Sequence, residues 1–283
     1  MSHNHAMRRI VVKVGTSSLT YPNGKLNIGC IEKLARVISD LQNRGYQMIL
    51  VSSGAVGVGA AKLGWRERPR DIRMKQAAAA VGQCELMHIY DKMFLEYGVK
   101  SAQILLTREN ITNEEQRANI HSTFDILLDT DVVPIVNEND TVATAELECI
   151  ETFGDNDTLS AVVARVCAAD LLVIFTDIEG LYNSNPRDNP EAKLIGRVEK
   201  IDASLWAVAG GPGSANGTGG MATKLGAAEL CMDAGISMLI TKGDAPEILY
   251  DIVAGKPVGT LFKRPPRKYH FSPNETNAEE GTP

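Results

Sequence analysis

Two clusters of short amide and carboxylate side chains hold the densest chemistry in this chain: Asn137-Glu138-Asn139-Asp140-Thr141 and Gly154-Asp155-Asn156-Asp157. The first follows the apolar run Val132-Val133-Pro134-Ile135-Val136, and the second opens a run that reads as a helix from Thr158 to Ala168. Asn and Asp at the ends of such elements compete with the backbone for hydrogen bonds, which is poor for stability. They are well suited to gripping a small polar substrate through amide donors and carboxylate acceptors. Either cluster alone reads equally well as an Asx turn or a helix N-cap. Three further motifs favour the chemical reading.

Lys13-Val14-Gly15-Thr16-Ser17 sets an ammonium late in an apolar, β-branched run, beside a turn with exposed backbone N–H groups. In open parallel sheets, ligands bind at such carboxyl ends of strands. Ser52-Ser53-Gly54-Ala55-Val56-Gly57-Val58-Gly59 ends a second strand in small residues that admit a ligand to the backbone. The helix start there favours negative charge. Close helix–strand packing accounts for Gly57 and Gly59 without any ligand. The third motif, Gly217-Thr218-Gly219-Gly220-Met221-Ala222-Thr223-Lys224, runs a glycine loop into a helix whose first turn carries a lysine. It supplies N–H donors and a cation that can follow a transferring phosphate. Neither a GxxxxGK[ST] loop nor a GxGxxG dinucleotide fingerprint occurs, so P-loop, nicotinamide and flavin readings have no support.

Short apolar runs alternate with longer helical patterns. The strands expected are Ile10–Val14, Met48–Ser52, Ala102–Leu106, Ile135–Asn137, Leu171–Thr176 and Ser237–Thr241. Between them lie helices at about Gly29–Arg44, Ala55–Leu63, Arg73–Glu96, Glu114–Leu128, Thr158–Ala168 and Met221–Ala234. That alternation predicts right-handed βαβ units and a mostly parallel sheet covered on both faces. Pro134 is a misfit inside a central strand, so the fourth strand is expected to begin after it. Asp71 to Tyr97, with its run Ala77–Ala80, reads either as an internal helix or as one packed across a subunit interface.

Composition sets the outer bounds. The chain has 283 residues, 44% hydrophobic and 23% charged, ordinary for a globular enzyme. A net charge of −6 and a pI near 5.5 argue against a general nucleic-acid or membrane-surface binder. Cys30, Cys84, Cys149, Cys167 and Cys231 form no CxxC pair and read as core thiols of a reducing compartment. No apolar run approaches the roughly 20 residues of a spanning helix. A cytoplasmic location is the expectation. His88 and His121 lie within helical patterns, outside any Ser-His-Asp or Cys-His arrangement. Residues 1–7, with His3 and His5, read as a disordered leader, and 265–283 as a disordered polar tail.

Taken in order, these motifs, with Thr176-Asp177, resemble the amino-acid kinase superfamily from about Ile10 to Phe262. The paired Asn-Glu-Asn-Asp and Gly-Asp-Asn-Asp clusters make the chain similar, within it, to the glutamate 5-kinases. N-acetylglutamate kinase, uridylate kinase and aspartokinase share the fold but not that pair. Many members carry a C-terminal PUA domain. The stretch after Phe262 is too short for one, so the likeness is to the form lacking it, with one kinase domain over 8–264. The resemblance implies a three-layer α/β/α sandwich with a mostly parallel central sheet. It implies transfer of the ATP γ-phosphoryl group to the side-chain carboxylate of L-glutamate, the first step of proline biosynthesis.

The same resemblance places Lys13 and Lys224 on the phosphates, with Asp157 holding both lysines. Glutamate would meet Ser53, Gly54, Asn137, Asp140, Asp155 and Asn156, with Asp140 suited to the ammonium and the amides of Asn137 and Asn156 to the carboxylates. ATP would meet Lys13, Gly15, Thr176, Asp177, Thr218, Gly219, Gly220, Met221, Ala222, Thr223 and Lys224. For Asp177 a turn or cap role is the competing reading. Mg2+ is expected as its ATP complex, without a named protein ligand. Feedback inhibition by proline and a homodimer or homotetramer are implied too. The alternatives are a sister kinase acting on another carboxylate or on UMP, and a catalytically silent sensor of proline or glutamate.

Overall fold

Ile10-Val11-Val12 lies at the centre of the sheet because both of its faces are covered, as an unbroken apolar strand requires. The computed structural model describes residues 8–21, 24–142, 155–186, 188–210 and 220–264. In it, β1 (Arg9–Lys13) pairs in parallel with β2 (Gln47–Val51) on one side and β5 (Leu171–Thr176) on the other. Beyond β2 lie β4 (Val132–Glu138) and β3 (Lys100–Leu106); beyond β5 come β7 (Ser237–Lys242), β8 (Thr260–Phe262) and β6 (Arg197–Val198). The order is β3-β4-β2-β1-β5-β7-β8-β6, antiparallel at β7–β8 and parallel at the other pairs described.

Alternation along β1 sorts its side chains between two layers. Ile10 and Val12 pack with α2 (Ile28–Asn43) and α4 (Ile72–Glu96). Val11 packs on the other face with α6 (Glu114–Asp129), α7 (Asn156–Val166) and α9 (Met221–Asp233). The result is a three-layer α/β/α sandwich. Lys13 follows Val11 in parity and so leaves the strand toward α7 and α9. The connections hold α1 (Thr16–Leu19), α3 (Ala55–Lys62), α5 (Arg108–Thr112), α8 (Ala203–Val208) and, after β7, α10 (Ile248–Val253). Of these, α3 is the helix expected at Ala55–Leu63, whereas α1, α5, α8 and α10, with β6 and β8, escape the sequence reading because none is long enough to show a period.

Two expectations are corrected. Pro134 lies within β4, opposite Ala102 of β3, rather than before the strand. Val136 accepts from Ser52 on the β2 side, so by alternation the nitrogen of Pro134 faces that side too. There the pairing only begins at Leu50–Ile135, and the missing N–H costs no ladder bond. Gly59 serves helix–helix rather than helix–strand contact: a Cβ there would sit 1.7 Å from the Ala78 carbonyl oxygen of α4. Gly82 of α4 meets α3 in return, its Cβ position 1.8 Å from the Ala55 oxygen. Gly57 has room, its nearest neighbour being Thr16 Cγ2 at 4.0 Å. This interlock packs α4 against α3, with Ala78 and Ala79 buried.

The cysteines divide. Cys167 and Cys231 are core thiols whose pKa burial pushes up to about 12, whereas Cys30 is half-buried and Cys84 exposed. Cys149, the leader and the tail fall outside the described residues. His88 is exposed, and His121 is an exposed partner of Asp125 at 3.1 Å.

Because backbone blocks a methyl group at the α3–α4 crossing, Gly59→Ala or Gly82→Ala should cost about 2–3 kcal/mol by overpacking. In a chain of this size that lowers Tm by about 4–10 °C. Gly57→Ala, in the same helix, should be neutral or slightly stabilising. Thermal unfolding of the three variants checks this, and equal losses at positions 57 and 59 would remove the interlock as the cause.

Candidate active site

The carboxyl ends of β1, β2, β4 and β5 open into a cavity of about 490 Å³. The chain leaves β1 toward β2 and later returns to β5 on the opposite side, the switch at which parallel sheets leave a crevice. Lys13 ends β1; Ser53 and Gly54 follow β2; Asn137 and Asp140 close β4; Thr176 and Asp177 close β5. Asp155, Asn156 and Asp157 enter from the start of α7, and Lys224 comes from one turn into α9. These residues all line one cavity. From the same α9 segment, Gly220, Met221 and Ala222 build the helix start without lining it. Thr218, Gly219 and Gly154 lie outside the described residues.

At its floor the carboxylate of Asp157 is fully buried between two ammonium groups. Lys13 Nζ is 2.7 Å from Oδ1 as an ion pair, and Lys224 Nζ donates to Oδ2 at 3.1 Å. Thr223 Oγ1 is 3.1 Å from the same Oδ2. Burial works against the charge on Asp157, but Lys13 and Lys224 together outweigh it and hold the pKa below the ordinary carboxylate value. The lysines are themselves only 7% and 4% exposed. One carboxylate thus keeps two cations ordered on the wall of an open cavity, leaving the trio with a net positive charge.

Three helix starts at the cavity differ from most of the others. Asn27 caps α2, Asp71 caps α4, Asn113 caps α6 and Asp202 caps α8, each accepting from a backbone N–H of the first turn. By contrast, α1, α3 and α9 begin at Gly15, Gly54 and Gly220, with no side-chain cap. First-turn N–H groups left open in this way can meet an anion. Gly54 has φ of 97°, a left-handed conformation that favours glycine, and a Cβ would find only ordinary contact with Thr16 Cγ2 at 3.6 Å. Its requirement is therefore backbone conformation rather than space.

The amide roles need correction. Asn156 Nδ2 donates to the Ser52 carbonyl at 2.9 Å and to Ser53 Oγ at 2.5 Å, so both of its amide hydrogens are engaged. The carbonyl of Ser52 can only accept, which fixes the orientation of that amide. Asn156 therefore presents its oxygen, not its N–H groups, to a ligand. Asn137 is buried, donates to Gln83 Oε1 at 2.9 Å and accepts from the Glu138 N–H at 3.0 Å. Asp155 caps α7 through Oδ1, which accepts from Asp157 and Thr158 at 2.7 and 2.8 Å. Burial raises its pKa and that of Asp140 above the usual carboxylate value, Arg68 partly opposing the rise at Asp140. Thr176 Oγ1 and Asp177 Oδ1 lie 3.1 Å apart at the end of β5.

Several contributors had no sequence signal. Arg68 and Phe175 line the cavity, and Gln83 and Tyr90 of α4 support Asn137 and Ser52 from behind, Tyr90 Oη lying 3.0 Å from Ser52 Oγ. Gln83 and Tyr90 are seven residues apart, two helical turns, so they share a face, but only the packing shows which strand ends they reach. Among the described residues, no group of three or more His, Cys, Asp or Glu is arranged to hold a metal, and no helix is long and apolar enough to cross a membrane.

Comparison with known proteins agrees with the geometry. Residues 8–242 match the amino acid kinase family. The chain is 52% identical over 255 residues to the glutamate 5-kinase of Clostridium perfringens (strain 13 / Type A), covering 90% of this chain and 95% of that protein. Against the Clostridium tetani (strain Massachusetts / E88) glutamate 5-kinase it is 54% identical over 256 residues, covering 90% and 94%. The Listeria innocua serovar 6a protein of the same name is 51% identical over 270 residues, covering 95% and 97%. Among solved structures, UMP kinase from Bacillus anthracis superposes with a TM-score of 0.63 at 17% identity, covering 91% of this chain and 96% of that one. The T. acidophilum isopentenyl phosphate kinase product complex gives 0.61 at 16%, covering 90% and 100%. At such identities the structural likeness speaks for the fold alone. The sequence likeness is far closer, and by it this chain belongs to the amino acid kinase family and, within that, to the glutamate 5-kinases.

Proposed function

We propose that this chain transfers the γ-phosphoryl group of ATP to the side-chain carboxylate of L-glutamate, forming ADP and L-glutamyl 5-phosphate, the opening step of proline biosynthesis. The observation that carries the reading is the Lys13–Asp157–Lys224 bridge on the wall of the cavity. Sheet order supports a division of labour around it. Lys13 ends the central β1, with the β2 and β4 ends on one side and the β5 end on the other. The acceptor amino acid is assigned to the first side, among Ser53, Gly54 and Asp140. The nucleotide is assigned to the second, with Thr176, Asp177, the start of α9 and the glycine segment before it.

A carboxylate is already an anion, so the acceptor needs no general base. The obstacle is bringing two anions together in line, which makes positioning and charge stabilisation the work of the site. Lys13 lies between the two halves and meets oxygens of the transferring group; Lys224 meets the leaving side. Asp157 keeps both ammonium groups in place and takes no proton, in keeping with its lowered pKa. MgATP is the nucleotide substrate. Asp155 and Asp177 on the cavity wall are the hard oxygen donors that would hold its Mg2+, which would supply charge neutralisation at the phosphates.

Family likeness alone supports the remainder of this reading: proline as a feedback inhibitor at or beside the acceptor pocket, a homodimer or homotetramer, and a cytoplasmic site of action. The retained lysine bridge favours an active kinase over a silent sensor.

Three measurements test the proposal. Incubated with ATP, Mg2+, L-glutamate and hydroxylamine, the chain should yield glutamyl hydroxamate together with ADP. Turnover with N-acetylglutamate, aspartate or UMP in place of glutamate would overturn the substrate assignment. At about 4 Å and an effective dielectric near 20, one charge contact to a phosphate is worth roughly 4 kcal/mol. Lys13→Ala and Lys224→Ala should each lower kcat by about 100- to 1000-fold; a loss under about fivefold in both removes them from the mechanism. Asp140→Ala should raise the KM for glutamate by about tenfold or more through its lost charge-assisted bond, and the KM for ATP far less. Equal effects on both would mean that Asp140 does not read the amino acid.

A further inference from the structure

L-Glutamate brings an ammonium and two carboxylates to a cavity whose wall already carries Glu138, Asp140, Asp155, Asp157 and Asp177. Lys13 and Lys224 both hold Asp157. The reactive side-chain carboxylate has Lys13 beside it, but the α-carboxylate needs a separate donor. Asn156 has no amide hydrogen to spare, and Asn137 has one of its two on Gln83. Among the described residues, one further cation lines the cavity: Arg68.

Arg68 lies in the segment between α3 and α4, exposed, and in no ion pair with a described residue. The next residue, Pro69, is buried and pins the segment. Arg68 and Asp140 line the same cavity, and the guanidinium acts on the charge of Asp140 without a salt bridge between them. That spacing matters. The ammonium and α-carboxylate of an amino acid leave the same carbon, so their receptors must be neighbours. If those receptors paired with one another, the substrate would first have to part them.

We propose that Arg68 holds the α-carboxylate of the acceptor amino acid while Asp140 holds its α-ammonium. The assignment rests on the function proposed above and names a specificity residue for it. Arginine suits this role because its planar fork can grip both oxygens of a carboxylate and stays charged at any working pH. Left exposed in the free chain, it carries no burial cost; closing substrate over it strengthens the contact by excluding water. With the head group read at both charges, the side-chain carboxylate is directed toward Ser53, Gly54 and Lys13. A phosphate role fits less well, because Arg68 acts on the charge of Asp140, which follows β4 on the side assigned to the acceptor.

The test uses the full chain, Arg68→Leu and Arg68→Lys, with L-glutamate as substrate and 4-aminobutyrate as competitor. The competitor keeps the ammonium and the reactive carboxylate but lacks the α-carboxylate. The unaltered chain should bind it about 10- to 100-fold more weakly than glutamate, the factor set by one hydrogen-bonded charge contact. Arg68→Leu should raise the KM for glutamate by a similar factor and leave the Ki of 4-aminobutyrate within about threefold. The two ligands then become near-equivalent, and Arg68→Lys should regain part of the difference. A preference for glutamate that survives Arg68→Leu overturns the proposal, as does a larger rise in the KM for ATP. If the unaltered chain forms no glutamyl hydroxamate, the proposed function fails and takes this assignment with it. Normal turnover with an unchanged preference in Arg68→Leu removes Arg68 alone.

Discussion

A buried carboxylate shared by two lysines is the constraint on which the site depends. Asp157 is completely removed from solvent, and its charge survives only because Lys13 and Lys224 face its two oxygens. Burying three charges is costly, and a well-packed apolar trio would commonly be no less stable. The cluster makes sense as a device for position. Without the anion the two ammonium groups would repel each other and move toward water. With it, they stand ordered on a cavity wall before any phosphate arrives. Preorganised charge of this kind costs no rearrangement at the moment of reaction.

The treatment of helix starts follows the same logic. Away from the cavity, α2, α4, α6 and α8 are closed by Asn or Asp caps that satisfy first-turn N–H groups. Where α1, α3 and α9 begin, glycine stands instead and no side chain closes the turn. With glycine there the chain forgoes roughly a few tenths of a kcal/mol relative to a good cap, and an anion can recover it. In α7 the cap is present, from Asp155, because this helix presents the side chain of Asp157 to the site rather than its own N–H groups.

One long helix organises the acceptor side. α4 locks against α3 at Gly59 and Gly82, supports Asn137 through Gln83 and meets Ser52 through Tyr90. Ser52 in turn accepts from Asn156. Strand ends and helix starts distant in sequence are thereby tied to a single rigid element. The asparagines, placed on the substrate by their residue type, are largely consumed in holding that framework, and recognition of the amino acid's charges passes to Asp140 and Arg68.

Much of the fold was legible from local pattern. Doubly covered strands read as unbroken apolar runs, Leu171–Thr176 with its bounds unchanged, and the longer helices show their period. Parity along Ile10–Lys13 even determines that Lys13 and Val11 share a face. These are properties of neighbouring residues, so the sequence by itself decides them. The short elements β6, β8, α8 and α10 lack length for a period, and Pro134 follows from which neighbour its nitrogen faces, which no local pattern encodes. Which charges meet is likewise non-local: Lys224 and Asp157, 67 residues apart, and the approach of Arg68 to Asp140 depend on how α7, α9 and the α3–α4 segment stack on the sheet. Residue types nominate the chemistry, but only tertiary packing decides whether an amide hydrogen or a cation is left facing the cavity, because each donor can be spent once.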